Sequence, residues 1–241
     1  MNYTLALTSC GRFDLLDATL ASFHRHADIP PSKVIVTEDS GDSAVGGVVC
    51  HYYPDADVIV NAPPAGQIKS IDTLYARIKT DLVFHCEDDW EFLRSGFVAE
   101  SIALLEAIPQ ASMIALRARS EINPLVRNAA KRSVGGIDYF MHDPSLHPEY
   151  FGYAFNPGLR RLADYLAVGP FEALGHEREA SLAFKKRGQH MVSLEQPAVR
   201  HIGDGRHVQE VSNPRPTGTI SRWRRSVEKR ISRFQRWRRG E

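Results

Sequence analysis

The sequence has little cysteine, and the little it has is not spaced for use. Cys10, Cys50 and Cys86 are odd in number and scattered. That argues against a disulfide framework and for a reducing cytoplasm, and no pair has the spacing of a zinc site. Long apolar runs are also missing. Without about 18 consecutive apolar residues, no membrane-spanning helix is expected. The segment Met1-Asn2-Tyr3-Thr4-Leu5-Ala6-Leu7 lacks a basic region followed by a long apolar one, and it reads as a first strand, not a secretory leader. There is no internal repeat. The rest is ordinary globular material: 241 residues, 43% hydrophobic and 24% charged. That length suits one α/β domain, alone or with a small appendage, and it can bury a large core.

The net charge of +1 hides a division. Residues 217–241 hold nine Lys/Arg and two acids, a net +7, which leaves residues 1–216 with 21 basic and 27 acidic residues, a net −6. Pro214 and Pro216 mark the boundary between an acidic body, 1–216, and a basic tail, 217–241.

Within the body, short apolar runs alternate with helical spacings. Strands are expected over 3–8, 34–37, 58–60, 81–86, 113–116 and 191–194. Helices are expected from Leu15 to Phe23 and over 70–78, 97–108, 159–166 and 178–186. From 117 to about 157 the periodicity fades, and irregular structure over a site is expected. Strands that alternate with helices, and read as unbroken apolar runs, imply a mainly parallel Rossmann-type sheet flanked by helices.

Ligands of open α/β sheets bind beyond the carboxyl ends of the strands. Three polar clusters stand at such ends: Ser9 to Arg12, Glu38 to Asp42, and Glu87-Asp88-Asp89. Three adjacent carboxylates repel one another, so crowding them calls for solvent or a cation. Taken alone, the triplet reads equally well as a solvated acidic turn. Hard oxygen ligands suit Mg²⁺ or Mn²⁺, and Mg²⁺ commonly takes one or two carboxylates together with substrate phosphates.

His85-Cys86-Glu87-Asp88-Asp89-Trp90-Glu91-Phe92, following an apolar strand, resembles the Asp-X-Asp region of GT-A-fold glycosyltransferases, in the Glu-Asp-Asp form of the N-acetylglucosaminyltransferase I type. Leu7-Thr8-Ser9-Cys10-Gly11-Arg12 and Gly66-Gln67-Ile68-Lys69-Ser70-Ile71-Asp72 resemble the corresponding segments of family-2-like bacterial glycosyltransferases. The resemblance covers roughly residues 3–205 and lies in the order of the pieces. It implies Asp89 as the direct metal ligand. It implies Glu87 and Asp88 as acids that contact the ribose or donor sugar and the waters of the metal. Glu38 and Asp39 match acids that bind nucleobase or ribose, and Thr8 and Arg12 match the loop around the nucleoside. Arg12 and Lys69 are also cations able to reach a diphosphate, although Lys69 reads equally well as a solvated helix residue.

Inverting transfer needs a base for the acceptor hydroxyl. In family-2-like enzymes it lies in a Glu-Asp pair that starts a helix. Here Gly175-His176-Glu177-Arg178-Glu179 precedes that helix, and counting back from Gly188 puts Glu177 on the Asp and His176 on the Glu. The departure leaves Glu177 and Glu179 both as candidates, and a first-turn acid also favours the helix by itself. In Val199-Arg200-His201-Ile202-Gly203-Asp204-Gly205-Arg206-His207, His201 matches a carboxyl-terminal metal ligand of several GT-A enzymes, with His207 in reserve. Trp90 and Phe155 to Gly158 are candidates to line the sugar sites, or simply to pack.

In the tail, Ile220, Trp223, Val227, Ile231, Phe234 and Trp237 form an apolar stripe among arginines. A basic amphipathic helix on an anionic membrane surface is expected, and nucleic acid is the less favoured partner. The whole reads as a cytoplasmic glycosyltransferase, peripheral on the inner face of the membrane, using a nucleotide-sugar donor (UDP first) and a glycan or lipid-linked acceptor of surface polysaccharide synthesis. The rivals are a metal-dependent nucleotidyltransferase, weakened by the single glycine of the first loop, and a non-catalytic sugar- or membrane-binding module.

Overall fold

The computed structural model describes residues 2–206. His207 and the expected basic helix over 217–241 lie outside the described residues. A nine-stranded sheet forms the centre, in the order β3-β2-β1-β4-β9-β6-β10-β8-β7. Its strands are β1 (Tyr3–Ser9), β2 (Lys33–Glu38), β3 (Asp57–Val60), β4 (Leu82–Glu87), β6 (Ala111–Ala115), β7 (Lys131–Val134), β8 (Ile137–Met141), β9 (Gly158–Arg161) and β10 (His190–Leu194). β5 (Trp90–Phe92) and β11 (Val199–His201) make a separate antiparallel pair. Seven of the nine strands run one way, and β8 and β9 run against them.

The apolar runs become strands buried on both faces, so successive side chains enter different cores. Leu5 and Leu7 of β1 face one layer with Leu16, Leu20 and Phe23 of α1 (Phe13–His26), Val45 and Val49 of α2 (Val45–Tyr52), and Phe97 and Leu104 of α4 (Phe97–Ala107). Ala6 between them faces the other layer. There it meets Ile71 and Leu74 of α3 (Gln67–Tyr75), Tyr165 of α5 (Leu162–Val168), Phe171 of α6 (Phe171–Leu174), and Ala180 and Phe184 of α7 (Glu177–Lys186). Among the described residues, no helix is long and apolar enough to cross a membrane.

Several local expectations change. The helix expected over 159–166 begins as β9, which sits antiparallel between β4 and β6. Gly158 permits this, because a Cβ there would collide with the Ile114 carbonyl. The irregular span contains the β7–β8 hairpin, turned by Gly135 and Gly136 at φ 58° and 80°. That Gly-Gly pair is a hairpin signal in the sequence itself. α2 lay under Gly46 and Gly47, which lower helix propensity. α3 starts three residues earlier than its periodicity suggests. Asp39, from the end of β2, accepts hydrogen bonds from the Ala65 and Gly66 N–H groups just ahead of the helix.

Candidate active site

The register places the three polar clusters side by side. Thr8 of β1 pairs with Glu87 of β4, and Ser9 pairs with Glu38 of β2. The chain then turns through Asp88 and Asp89 into β5. α1 holds this turn: the Thr19 hydroxyl donates to the Asp88 carbonyl at 2.9 Å, and the Trp90 N–H donates to the Thr19 oxygen at 3.1 Å.

The three carboxylates have different surroundings. Glu87 is half-buried. Its two oxygens accept from Gln67 Nε2 at 2.6 Å and from the Trp90 indole N–H at 3.3 Å. Burial, with the neighbouring Asp89 charge, pushes its carboxyl up to about 8. Asp88 is 1% exposed. It is ion-paired with Arg12 and also accepts from the Ser9 hydroxyl and the Cys10 N–H, both at 3.3 Å. Asp88 therefore anchors Arg12 to the turn after β4. Asp89 is also buried, at 8% exposed, but faces other partners. Its Oδ2 lies 2.9 Å from Arg12 Nη1 and 3.3 Å from His201 Nε2.

His201 reaches Asp89 through the small sheet. β11 pairs with β5 so that His201 stands opposite Trp90, and the Ile202 N–H donates to the Asp89 carbonyl at 2.9 Å. The other ring nitrogen of His201 lies 3.1 Å from Asp204. A carboxylate on the second nitrogen is how metal-binding imidazoles are oriented. Gly203 packs against this pair, and a Cβ there would stand 2.5 Å from Asp89 Oδ2.

The donor set fits a hard divalent ion. Two adjacent ligands at about 2.1 Å from an octahedral ion stand about 3 Å apart, close to the Asp89–His201 separation. Among the described residues, no group of three or more His, Cys, Asp or Glu forms a ready cage. The remaining positions would fall to water and ligand oxygens, as is usual for Mg²⁺ and related ions.

The acids at the end of β2 brace loops. Glu38 is fully buried. Its Oε1 accepts from the Gly11 and Ser40 N–H groups, each at 2.8 Å. Asp39 accepts from Asn61, Ala65, Gly66 and Ser70. Both hold the loops that follow β1 and β2, and Glu38 Oε2 takes no hydrogen bond among the described residues. Thr8 is buried at the end of β1, and Lys69 is exposed in the first turn of α3.

Across the sheet edge, Glu177 opens α7. Its Oε1 accepts from the Phe155 N–H at 3.1 Å. The residue is open to solvent, yet surrounding protein raises its carboxyl above the ordinary range, with the Phe155 N–H, Arg160 and Arg117 opposing. Its charge in turn reaches Glu87. The loop that holds it is fixed from behind. Buried Arg160 donates to the Tyr153 hydroxyl at 2.5 Å and to the Asn156 carbonyl at 2.8 Å. Glu179 is paired with Arg178. Of the two candidate bases, Glu177 is the one whose charge acts on Glu87 of the carboxylate turn.

Gln67, Gly203, Asp204, Arg117 and Arg160 complete the site and were not singled out in the sequence. Gln67 and Gly203 meet residues remote in sequence, whereas Asp204 and Arg160 meet near neighbours. Trp90 is 2% exposed, and its ring lies against His201, so it is a wall and not an open sugar platform.

No family model and no curated protein matches the sequence. Solved structures do match the fold. GalNAc-T7 with UDP, GalNAc and Mn²⁺ superposes with a TM-score of 0.61 at 11% identity, over 90% of this chain and 46% of that one. TarS of S. aureus (residues 1–349) gives 0.58 at 14%, over 83% and 59%. The mannosyltransferase PcManGT from Pyrobaculum calidifontis, in complex with GDP-Man and Mn²⁺, gives 0.56 at 11%, over 81% and 55%. The chain thus spans about half the length of these structures. They are GT-A-fold glycosyltransferases, and the fold of this chain is GT-A.

Proposed function

We propose that this chain transfers a sugar from a nucleoside diphosphate sugar, UDP-linked in the first instance, to an acceptor hydroxyl with inversion. The observation that supports the reading most is the Asp89–His201 pair at the turn after β4, with Glu177 opening α7 and its charge acting on Glu87. Asp89 and His201 would hold Mn²⁺ or Mg²⁺, which when bound neutralises the departing diphosphate. Arg12 already lies on Asp89 and Asp88, and it would supply positive charge for the diphosphate. Burial opposes its charge, but Asp88 and Asp89 outweigh burial and keep it protonated. Gln67 and Trp90 fix Glu87 toward the donor sugar. Glu177 takes the proton of the attacking hydroxyl. The tail would dock on an anionic membrane, and a glycan or lipid-linked acceptor of a surface polysaccharide suits such a position.

Thermal unfolding with UDP or GDP, each with and without Mn²⁺, tests the donor site. A ligand at 100 times its Kd stabilises the folded form by about 2.7 kcal/mol, which for a domain of this size is a shift of about 5–10 °C. A UDP shift that requires Mn²⁺ is expected. Absence of any nucleotide shift would remove the reading.

A further inference from the structure

One oxygen of Asp89 is approached from two sides. Oδ2 lies 3.3 Å from His201 Nε2 and 2.9 Å from Arg12 Nη1. Arg12 is a mostly buried side chain whose three nitrogens all have partners. Nε and Nη2 donate to the two oxygens of Asp88, and Nη1 also donates to the Arg206 carbonyl at 3.1 Å. The guanidinium thus grips Asp88 by two hydrogen bonds and reaches Asp89 with Nη1 alone.

A divalent ion on Asp89 Oδ2 and His201 Nε2 must share that oxygen with Arg12. With the ion about 2.1 Å from Oδ2 and Nη1 2.9 Å from it, the two cations can be no more than about 5 Å apart. At that range, in a partly buried turn, a doubly charged ion and a guanidinium repel strongly. A diphosphate removes the conflict. Its oxygens ligate a hard ion and also accept from the paired N–H groups of a guanidinium.

We propose that Arg12 is the resident counter-cation of Asp89, competing with a lone metal ion for Oδ2 and turning Nη1 to the diphosphate when nucleotide arrives, so that metal and nucleotide fill the site together. This rests on the sugar-transfer reading of the same site and adds the coupling between its two ligands. Mn²⁺ binding is measured by electron paramagnetic resonance of the unbound ion, with and without UDP. In the unaltered protein UDP tightens Mn²⁺ binding by about 100-fold, within the usual span of a coupling between two ligands. Arg12→Gln binds Mn²⁺ alone about 10-fold more tightly than the unaltered protein, and UDP tightens it less. A second variant combines Arg12→Gln with Asp88→Asn. It removes both buried charges, and the asparagine still accepts from the Ser9 hydroxyl and the Cys10 N–H. It should show the same gain, which excludes Asp88, freed of its partner, as the source. Affinity for Mn²⁺ alone that is unchanged or lower in both variants overturns the proposal and makes Arg12 a brace of the turn. A gain confined to the single variant, or a UDP effect undiminished in Arg12→Gln, overturns it as well. If UDP changes Mn²⁺ binding in none of the three proteins, the sugar-transfer reading fails instead, and the affinities for Mn²⁺ alone still decide whether Arg12 competes for Asp89.

Discussion

Glu177→Gln is expected to lower sugar transfer by about 10³-fold while UDP and Mn²⁺ bind as before. The substitution keeps the shape of the side chain. Its amide oxygen can still accept from the Phe155 N–H, so the start of α7 stays in place. What is lost is the ability to take a proton. An inverting displacement at the anomeric carbon leaves the acceptor oxygen positive unless its proton departs, so the loss falls on the rate of transfer and not on donor binding.

The pH profile gives the second readout. The base works only when ionised, and its carboxyl is raised by the protein around it, with Phe155, Arg160 and Arg117 opposing. Activity should therefore fall with decreasing pH, through a midpoint above the usual glutamate value of about 4.3. In Glu177→Gln that limb should disappear from the residual rate. Glu179→Gln should change little, because Glu179 serves Arg178. Normal transfer by Glu177→Gln would remove Glu177 as the base.

Asp89→Ala is expected to abolish the Mn²⁺-dependent part of nucleotide binding, so the thermal shift of about 5–10 °C vanishes. Asp89 is the carboxylate of the turn that meets both His201 and Arg12. Without it a single imidazole remains, too little to hold a hard divalent ion alongside water and phosphate. The free protein should still fold, because Arg12 keeps its pair with Asp88 and the Thr19 contacts to the turn use backbone atoms. Gly203→Ala should weaken the same shift without touching a ligand. Its Cβ would lie 2.5 Å from Asp89 Oδ2 and 2.8 Å from Asp89 Cβ, so Asp89 must move from His201. A metal-dependent UDP shift preserved in Asp89→Ala would exclude it as a ligand.

Much of the donor half of the fold is legible in the chain. The runs at 3–8, 34–37 and 81–86 announce buried parallel strands, because a strand covered on both faces has apolar residues at successive positions. Polar clusters directly after such runs point to the carboxyl edge. The hairpin at Gly135-Gly136 is legible too, once its turn chemistry is weighed above the fading periodicity. β9 is not. Four residues give no reliable period, and their state depends on the gap between β4 and β6, two strands remote in sequence. The start of α3 escapes for a similar reason, since the Asp39 side chain that marks it comes from the end of another strand.

The site divides along the same line. By itself the sequence determined that three carboxylates follow a buried strand, that acids end the neighbouring strand, and that a histidine and a helix-starting glutamate come later. Those are local properties of composition and period. Only the tertiary structure decided which partners each carboxylate meets. Asp88 pairs with Arg12, Asp89 meets both Arg12 and His201, and Glu87 is held by Gln67 and Trp90. Adjacent side chains of one turn differ in this way because each direction is set by a different remote partner. The register of β11 on β5, the hydrogen bond from the Phe155 N–H to Glu177, and the place of Arg117 over Trp90 join residues tens of positions apart. Such pairings exist only once the sheet has closed.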